Sequence, residues 1–236
     1  MNQLFYTQKI ENGFAVFEEE EGRHLSTVLR KKPGELLQLT DGKGFFYEAE
    51  LADAGKRQVL ARIVSKTAAP PPRPARLHIG IAPTKQMERF EWFLEKATEI
   101  GVDEITPLLC QRSERDTVRL DRLEKILVSA MKQSLRAWLP TLNAPARFQD
   151  FAKTPSEAQK RLAWCTDEPL PHLQNTLSPR QDAVIAIGPE GDFSPEEVRL
   201  ALANGFQGVS LGQARLRTET AGLLAVGVFN LMMEGV

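Results

Sequence analysis

The sequence predicts an α/β protein in two parts: a small antiparallel β-barrel carrying one helix, followed by a larger domain built on a parallel sheet. Three observations predict it. Short runs rich in β-branched and aromatic residues dominate as far as residue 66, prolines crowd residues 70–74, and beyond them strand-like and helix-like segments alternate. The chain has 236 residues, 42% of them apolar and 26% charged, enough for one large or two small domains. The proline break favours two, residues 1–70 and 71–236.

In the first part, strand-length runs fall at residues 14–17, 36–39, 45–51 and 59–64, with Asp41, Gly42, Lys43 and Gly44 supplying a turn between the second and third. Residues 21–32 are the exception, because Leu25, Val28 and Leu29 recur at the three- and four-residue spacing of a helix. Pro70, Pro71, Pro72 and Pro74 then forbid a helix or central strand, so residues 68–75 read as a stiff extended linker.

The second part opens with a strand at 77–82 and a helix over 86–100, where Phe90, Phe93, Leu94, Ala97 and Ile100 share a face and Gly101 stops the helix. A strand at 105–109 precedes a helix with Leu120, Leu123, Ile126, Leu127, Ala130 and Met131 on one side. Further strands are expected at 162–165, 183–187 and 209–211, the last two leading through loops into helices. Such alternation implies a parallel sheet covered on both faces, with ligands bound at the carboxyl ends of its strands.

Composition excludes several function classes. A formal net charge of −1 provides no global basic field, so a nucleic-acid surface has to be a local patch. Cys110 and Cys165 stand far apart, and His24, His78 and His172 are scattered, so neither a metal site nor a disulfide framework is expected and a reducing cytoplasm suits the chain. Residues 1–10 lack the apolar core of a signal peptide. The most apolar stretch, 221–233, is too short to span a membrane and is interrupted by Gly222, Gly227 and Asn230; it reads as a buried or interface helix.

Two segments carry the chemistry. Residues 187–197, Ile-Gly-Pro-Glu-Gly-Asp-Phe-Ser-Pro-Glu-Glu, run from a strand through a glycine-rich turn into a helix start, with Ser194 as N-cap, Pro195 at N1 and Glu197 completing a capping box. Gly188 and Gly191 let a ligand approach the backbone, although the segment also reads as a connection that merely turns. Residues 211–221, Leu-Gly-Gln-Ala-Arg-Leu-Arg-Thr-Glu-Thr-Ala, put Arg215, Arg217 and Glu219 at the same sheet edge, able to hold a polyanion or orient a base. Capping by Thr218 or Thr220, with Glu219 complementing the dipole, explains the acid but not Arg217 at the positive end of a helix. Gly208, Ser210 and Gly212 match a hydrolase elbow, but no histidine follows Ser210 to complete that triad. Neither a Walker motif nor a dinucleotide fingerprint occurs.

Gly188-Pro189-Glu190-Gly191, then Leu211-Gly212, then Leu216-Arg217-Thr218-Glu219-Thr220-Ala221 resemble the C-terminal signature of the small-subunit ribosomal RNA uridine-N3 methyltransferases, a family of the SPOUT class. Upstream the resemblance takes in His24-Leu25, Val28-Leu29-Arg30, Lys85, residues 96–102, residues 105–107, Gln133 and Arg136, and so covers nearly the whole chain. It implies a PUA-like barrel that grips RNA and a SPOUT catalytic domain with a trefoil knot, assembled as a homodimer that uses S-adenosyl-L-methionine to methylate N3 of a uridine in 16S ribosomal RNA or the small ribosomal subunit. Action on another RNA nucleotide, or a non-catalytic RNA-binding dimer, are the alternatives. By the same resemblance the cofactor would be held by Thr166, by Ile187, Gly188, Pro189, Glu190 and Gly191, and by Leu211, Gly212 and Leu216. Arg217 is the first candidate for catalysis, followed by Glu190 and Glu219. Arg23, His24, Arg30, Lys31, Lys85, Arg112 and Arg136 are candidates for RNA contact, with a solvated helix end as the plainer reading of the first four. The chain departs from the family at Asp192, where a second glycine is usual, at Ala214, where an arginine is usual, and at Lys132, where glutamate is frequent.

Overall fold

The computed structural model describes residues 3–55 and 58–233. The chain divides into two compact units, Met1–Pro71 with Val128–Leu139, and Pro72–Leu127 with Pro140–Val236.

The first unit contains β1 (Leu4–Tyr6), β2 (Ile10–Glu11), β3 (Phe14–Phe17), α1 (Glu19–Arg23), β4 (Leu36–Thr40), β5 (Phe45–Ala54) and β6 (Val59–Ala68). Their order in one sheet is β1-β4-β5-β6-β3-β2. The expected all-antiparallel pattern fails at one edge: β1 pairs with β4 in parallel, Leu4 opposite Gln38. A hairpin and a helix separate these strands, so the chain returns in the same direction. The sheet curls, since the Thr7 hydroxyl, just beyond β1, donates to the Val16 carbonyl of β3 at 2.5 Å and the Phe5 and Phe17 rings meet edge to face. Phe5, Phe17, Leu25, Leu39, Tyr47, Leu51 and Val59 form its core.

The helix expected over 21–32 is shorter and irregular. α1 runs into a π-helical turn at His24–Val28, and Arg30 takes a positive φ of 52° that ends it. The wider turn breaks the expected face: Leu25 is buried, whereas Val28 is 65% exposed.

The second unit contains β7 (Leu77–Ile81), α2 (Met87–Ile100), β8 (Glu104–Leu109), α3 (Leu120–Gln133, whose end belongs to the first unit), β9 (Thr141–Leu142), β10 (Ala146–Arg147), α4 (Phe148–Lys153), β11 (Gln159–Ala163), β12 (Ala183–Ile187), α5 (Pro195–Ala203), β13 (Gln207–Val209) and α6 (Thr218–Met233). The sheet order is β10-β8-β7-β12-β11-β13, with β9 beside β8, and every pairing is parallel. β7 and β12 carry the buried runs that central parallel strands require. α6 lies close over this centre because Gly222 has no side chain; a Cβ there would stand 2.6 Å from Ile81 and 2.8 Å from Phe93.

The proline-rich linker is not straight. Ala68 still belongs to β6, and residues 72–75 form a bend. The bend buries Arg73, which pairs with Asp103 and lies 5.3 Å from the Phe229 ring centre. Two strands also shift toward the N-terminus relative to expectation: β11 ends at Ala163 and β13 at Val209, leaving Trp164, Cys165 and Leu211 in the following loops. The Trp164 ring lies across Gly208, where any Cβ would overlap it.

Candidate functional site

β12, β11 and β13 are neighbours in the sheet, and their carboxyl ends open into one cavity of about 1100 Å³. Three loops wall it, residues 163–170, 187–190 with Asp192, and 209–217, together with Thr218 and Ala221 of α6. Of the expected cofactor contacts, Thr166, Ile187, Gly188, Pro189, Glu190, Leu211, Gly212 and Leu216 line this cavity. Gly191 does not; its carbonyl accepts a bond from Arg112 Nη1 at 2.9 Å.

The 187–197 turn is built as its local chemistry requires. Ser194 caps α5 by accepting the Glu197 N–H at 3.2 Å, and the Glu197 carboxylate accepts the Ser194 N–H at 2.8 Å, with Pro195 following the cap. Glu197 also accepts the Gln111 N–H at 2.8 Å, which ties this turn to the loop after β8. The Glu190 carboxylate accepts the Lys85 N–H at 2.9 Å. Thr218 does more than begin a helix: its hydroxyl donates to the Gly188 carbonyl at 3.1 Å and fastens α6 to the end of β12.

Arg217 lines the cavity, is exposed, and forms no ion pair among the described residues. Arg215 is beside it on the same loop. Glu219 is buried outside the lining, with its carboxylate 3.9 Å from Arg89 Nε. Ser210 continues past β13, where its hydroxyl donates to the Gly212 carbonyl and accepts the Gly212 N–H, each at 3.1 Å, so it is engaged locally rather than poised as a nucleophile.

Asp192 and Cys165 complete the wall. Partial burial, then the neighbouring Asp192 carboxylate, push the Cys165 thiol above its ordinary pKa, while Arg215 works in the opposite direction. Both were legible only as a departure and a scattered cysteine, because the bond that joins them, Cys165 N–H to Asp192 Oδ2 at 2.8 Å, spans 27 residues.

The candidates for RNA contact fall in both units. Arg23 ends α1, His24 meets Gln3 at 3.0 Å, Arg30 ends the π-helical region and Lys31 pairs with Glu35 at 2.7 Å. Arg136 lies in Val128–Leu139, the segment that packs with the first unit. In the second unit Lys85 pairs with Glu114 at 2.6 Å, a contact that raises the lysine pKa, and Arg112 holds Gly191. No group of three or more potential metal ligands occurs among the described residues, and no described helix is long and apolar enough to cross a membrane.

The donor set suits a nucleoside cofactor carrying an apolar and a charged end. Ile187, Pro189, Leu211 and Leu216 offer apolar faces, Gly212 adopts φ 123° with open space beside its Cα, and Glu190, Arg215 and Arg217 border the same volume.

Residues 71–230 match the RNA methyltransferase domain family, and residues 17–64 match the RNA methyltransferase PUA domain. A ribosomal RNA small subunit methyltransferase E of Synechocystis sp. is 32% identical over 220 residues, covering 89% of this chain and 71% of that protein. Among solved structures, a probable rRNA-methyltransferase from Porphyromonas gingivalis superposes with a TM-score of 0.92 at 40% identity, over 99% of each chain. A ribosomal RNA small subunit methyltransferase E from Neisseria gonorrhoeae, solved bound to S-adenosyl methionine, has a TM-score of 0.86 at 29% identity, over 99% of this chain and 98% of that one.

Proposed function

The chain belongs to the RNA methyltransferase family, and on that premise we propose that it methylates N3 of a uridine in 16S ribosomal RNA with S-adenosyl-L-methionine as donor. The observation that carries this reading is the single cavity at the carboxyl ends of β11, β12 and β13, bordered by Arg217 and by the three loops expected to hold the cofactor. Thr166, Ile187, Gly188, Pro189, Glu190, Leu211, Gly212 and Leu216 would hold it, largely through backbone groups, with Gly191 keeping the turn in place through Arg112. When bound, the cofactor supplies a methyl group activated by a sulfonium.

The protein's own contribution is positioning and charge. The uracil N3 carries a proton, so the base has to be unpaired and to lose that proton before or during attack. Arg217, a guanidinium at the cavity with no ion pair among the described residues, stabilises the negative charge that develops on the ring. Glu190 acts as a positioning group, since its carboxylate is occupied by the Lys85 N–H. Glu219 steadies the first turn of α6 against Arg89.

Residues 1–70 act in this reading as the PUA-like RNA-gripping domain, through Arg23, His24, Arg30 and Lys31, and residues 71–236 as the catalytic domain. Lys85, Arg112 and Arg136 are the other RNA contacts. The protein works in the cytoplasm as a homodimer, a reading supported by the exposed Leu224 and Leu231 of α6.

The test is calorimetric titration of S-adenosyl-L-methionine into the purified protein, followed by mapping of the methyl group by mass spectrometry of 16S RNA and small subunits treated with it. Saturable binding and an N3-methyluridine product are expected. Binding without methylation of either substrate would sink the assignment, and methylation of another nucleotide would correct its target.

A further inference from the structure

Asp192 occupies left-handed backbone, with φ 61°. Glycine, asparagine and aspartate enter that region most readily. The Asp192 N–H closes the turn on the Pro189 carbonyl at 2.9 Å. Its carboxylate then joins two separate pieces of chain. Oδ1 accepts the Phe193 N–H at 2.7 Å, and Oδ2 accepts the Cys165 N–H at 2.8 Å. Cys165 opens the exposed loop that carries Thr166, whose hydroxyl accepts the Glu168 N–H at 3.2 Å. That second bond is internal to the loop, whereas the bond from Cys165 ties it to the wall after β12.

We propose that Asp192 is a positioning residue for the cofactor, a carboxylate staple that holds the loop beginning at Cys165 against the Gly188–Gly191 turn and thereby sets cofactor affinity. The inference rests on the reading of this cavity as the S-adenosyl-L-methionine site. A glycine at 192 adopts the same φ but supplies neither acceptor, so the loop has to be ordered at the moment of binding. An asparagine supplies one acceptor oxygen in place of two. A charged acceptor is the stronger choice for a backbone N–H at a partly exposed wall.

The experiment compares the wild-type protein with Asp192→Asn and Asp192→Gly. Both replacements suit a positive φ, so both should fold, as circular dichroism and a Tm within a few degrees of wild type would establish. Titration calorimetry should give a dissociation constant for S-adenosyl-L-methionine raised roughly tenfold in Asp192→Gly and roughly threefold in Asp192→Asn. In turnover assays KM for the cofactor should rise while kcat holds. Two readouts need no activity. Hydrogen exchange at residues 165–168 should quicken in the glycine variant. Alkylation of Cys165 by iodoacetamide should also quicken, because partial burial and then the Asp192 carboxylate raise the thiol pKa and the variant removes the second cause; Cys110, being buried, is shielded from the reagent.

Unchanged affinity together with unchanged exchange in Asp192→Gly would overturn the staple. Failure of the wild-type protein to bind the cofactor, with no protection of Cys165 by it, would instead remove the underlying cofactor reading and the affinity claim built on it. The first failure is seen only in the variants, the second in the wild type alone.

Discussion

The 187–197 segment, whose first residues line the cavity, and the 210–217 segment opposite are held in different ways. In the first, Gly188, Glu190, Gly191, Asp192, Ser194 and Glu197 each bond to a partner on another element or to the turn itself, by way of Thr218, Lys85, Arg112, Cys165 and the capping box. In the second, Gly212, Gln213, Ala214, Arg215 and Arg217 are exposed, and the side-chain bonds seen among the described residues are those between Ser210 and Gly212. The difference separates two tasks. The cofactor gains affinity from a turn ordered in advance, whereas the segment that adds Leu211, Gly212 and Leu216 to the cofactor and Arg217 to the incoming base is free to close once both are present.

The harshest way to break the contrast is to damage the fixed wall. A Cβ at Gly188 would already lie 3.1 Å from the Phe193 ring and 3.2 Å from the Phe193 nitrogen. Gly188→Val adds two further carbons against backbone that is tied down on both sides, so the turn has to move. Saturable cofactor binding should disappear from calorimetry, with an affinity loss on the order of 100-fold or more. Retained binding would mean that the wall is softer than its bonding implies.

Next in size is a change on the open wall. Arg217→Ala removes a cation that pairs with nothing in the described structure, so stability should hold. Turnover should fall roughly 100- to 1000-fold, the usual loss for one preorganised charge at a reacting centre, while cofactor affinity stays within about threefold. A variant that lost cofactor binding instead would reassign Arg217 to the cofactor and erase the functional split between the walls.

That split was only half legible in the sequence. The fixed wall was visible because its signals are local: Ser194, Pro195 and Glu197 are spaced as a capping box wherever they occur, and α2, β7 and β12 follow from periodicity and burial pattern. What escaped depends on partners distant in the chain. The parallel pairing of β1 with β4 needs a crossover that no spacing records. The bend at 72–75 follows from Arg73 seeking Asp103, thirty residues away. α4, with six residues, is too short to show a helical period. Asp192 read as a departure from a family pattern, since its bond to Cys165 exists only once the loops after β11 and β12 lie side by side. The Asn12-Gly13 turn between β2 and β3, by contrast, carries its own short-range hairpin signal in the sequence.

A smaller effect tests the hinge between the walls. Thr218 belongs to α6 but bonds to Gly188, so it links the open segment to the fixed turn. Thr218→Val keeps the shape and removes the hydroxyl, leaving the Gly188 carbonyl short of a buried donor. The expected cost is about 1 kcal/mol of stability, read from chemical denaturation, and a several-fold loss of cofactor affinity. Loss of stability with unchanged affinity would show that the link serves the fold alone.

The smallest expected effect sharpens the comparison most, because it loosens the fixed wall without touching the cavity. Ser194 is buried and does not line it. Ser194→Ala leaves the Glu197 N–H without its cap and should cost about 1 kcal/mol in denaturation. Glu197 still accepts the N–H groups of Gln111 and Ser194, so the turn keeps its anchors to the loop after β8 and to its own backbone. Affinity for the cofactor should therefore stay within about twofold of wild type. If it fell in step with stability, the order of the wall would depend on the cap of α5 rather than on the bonds of Glu190, Asp192 and Thr218, and the rigidity contrasted here with the 210–217 segment would belong to the helix behind the turn.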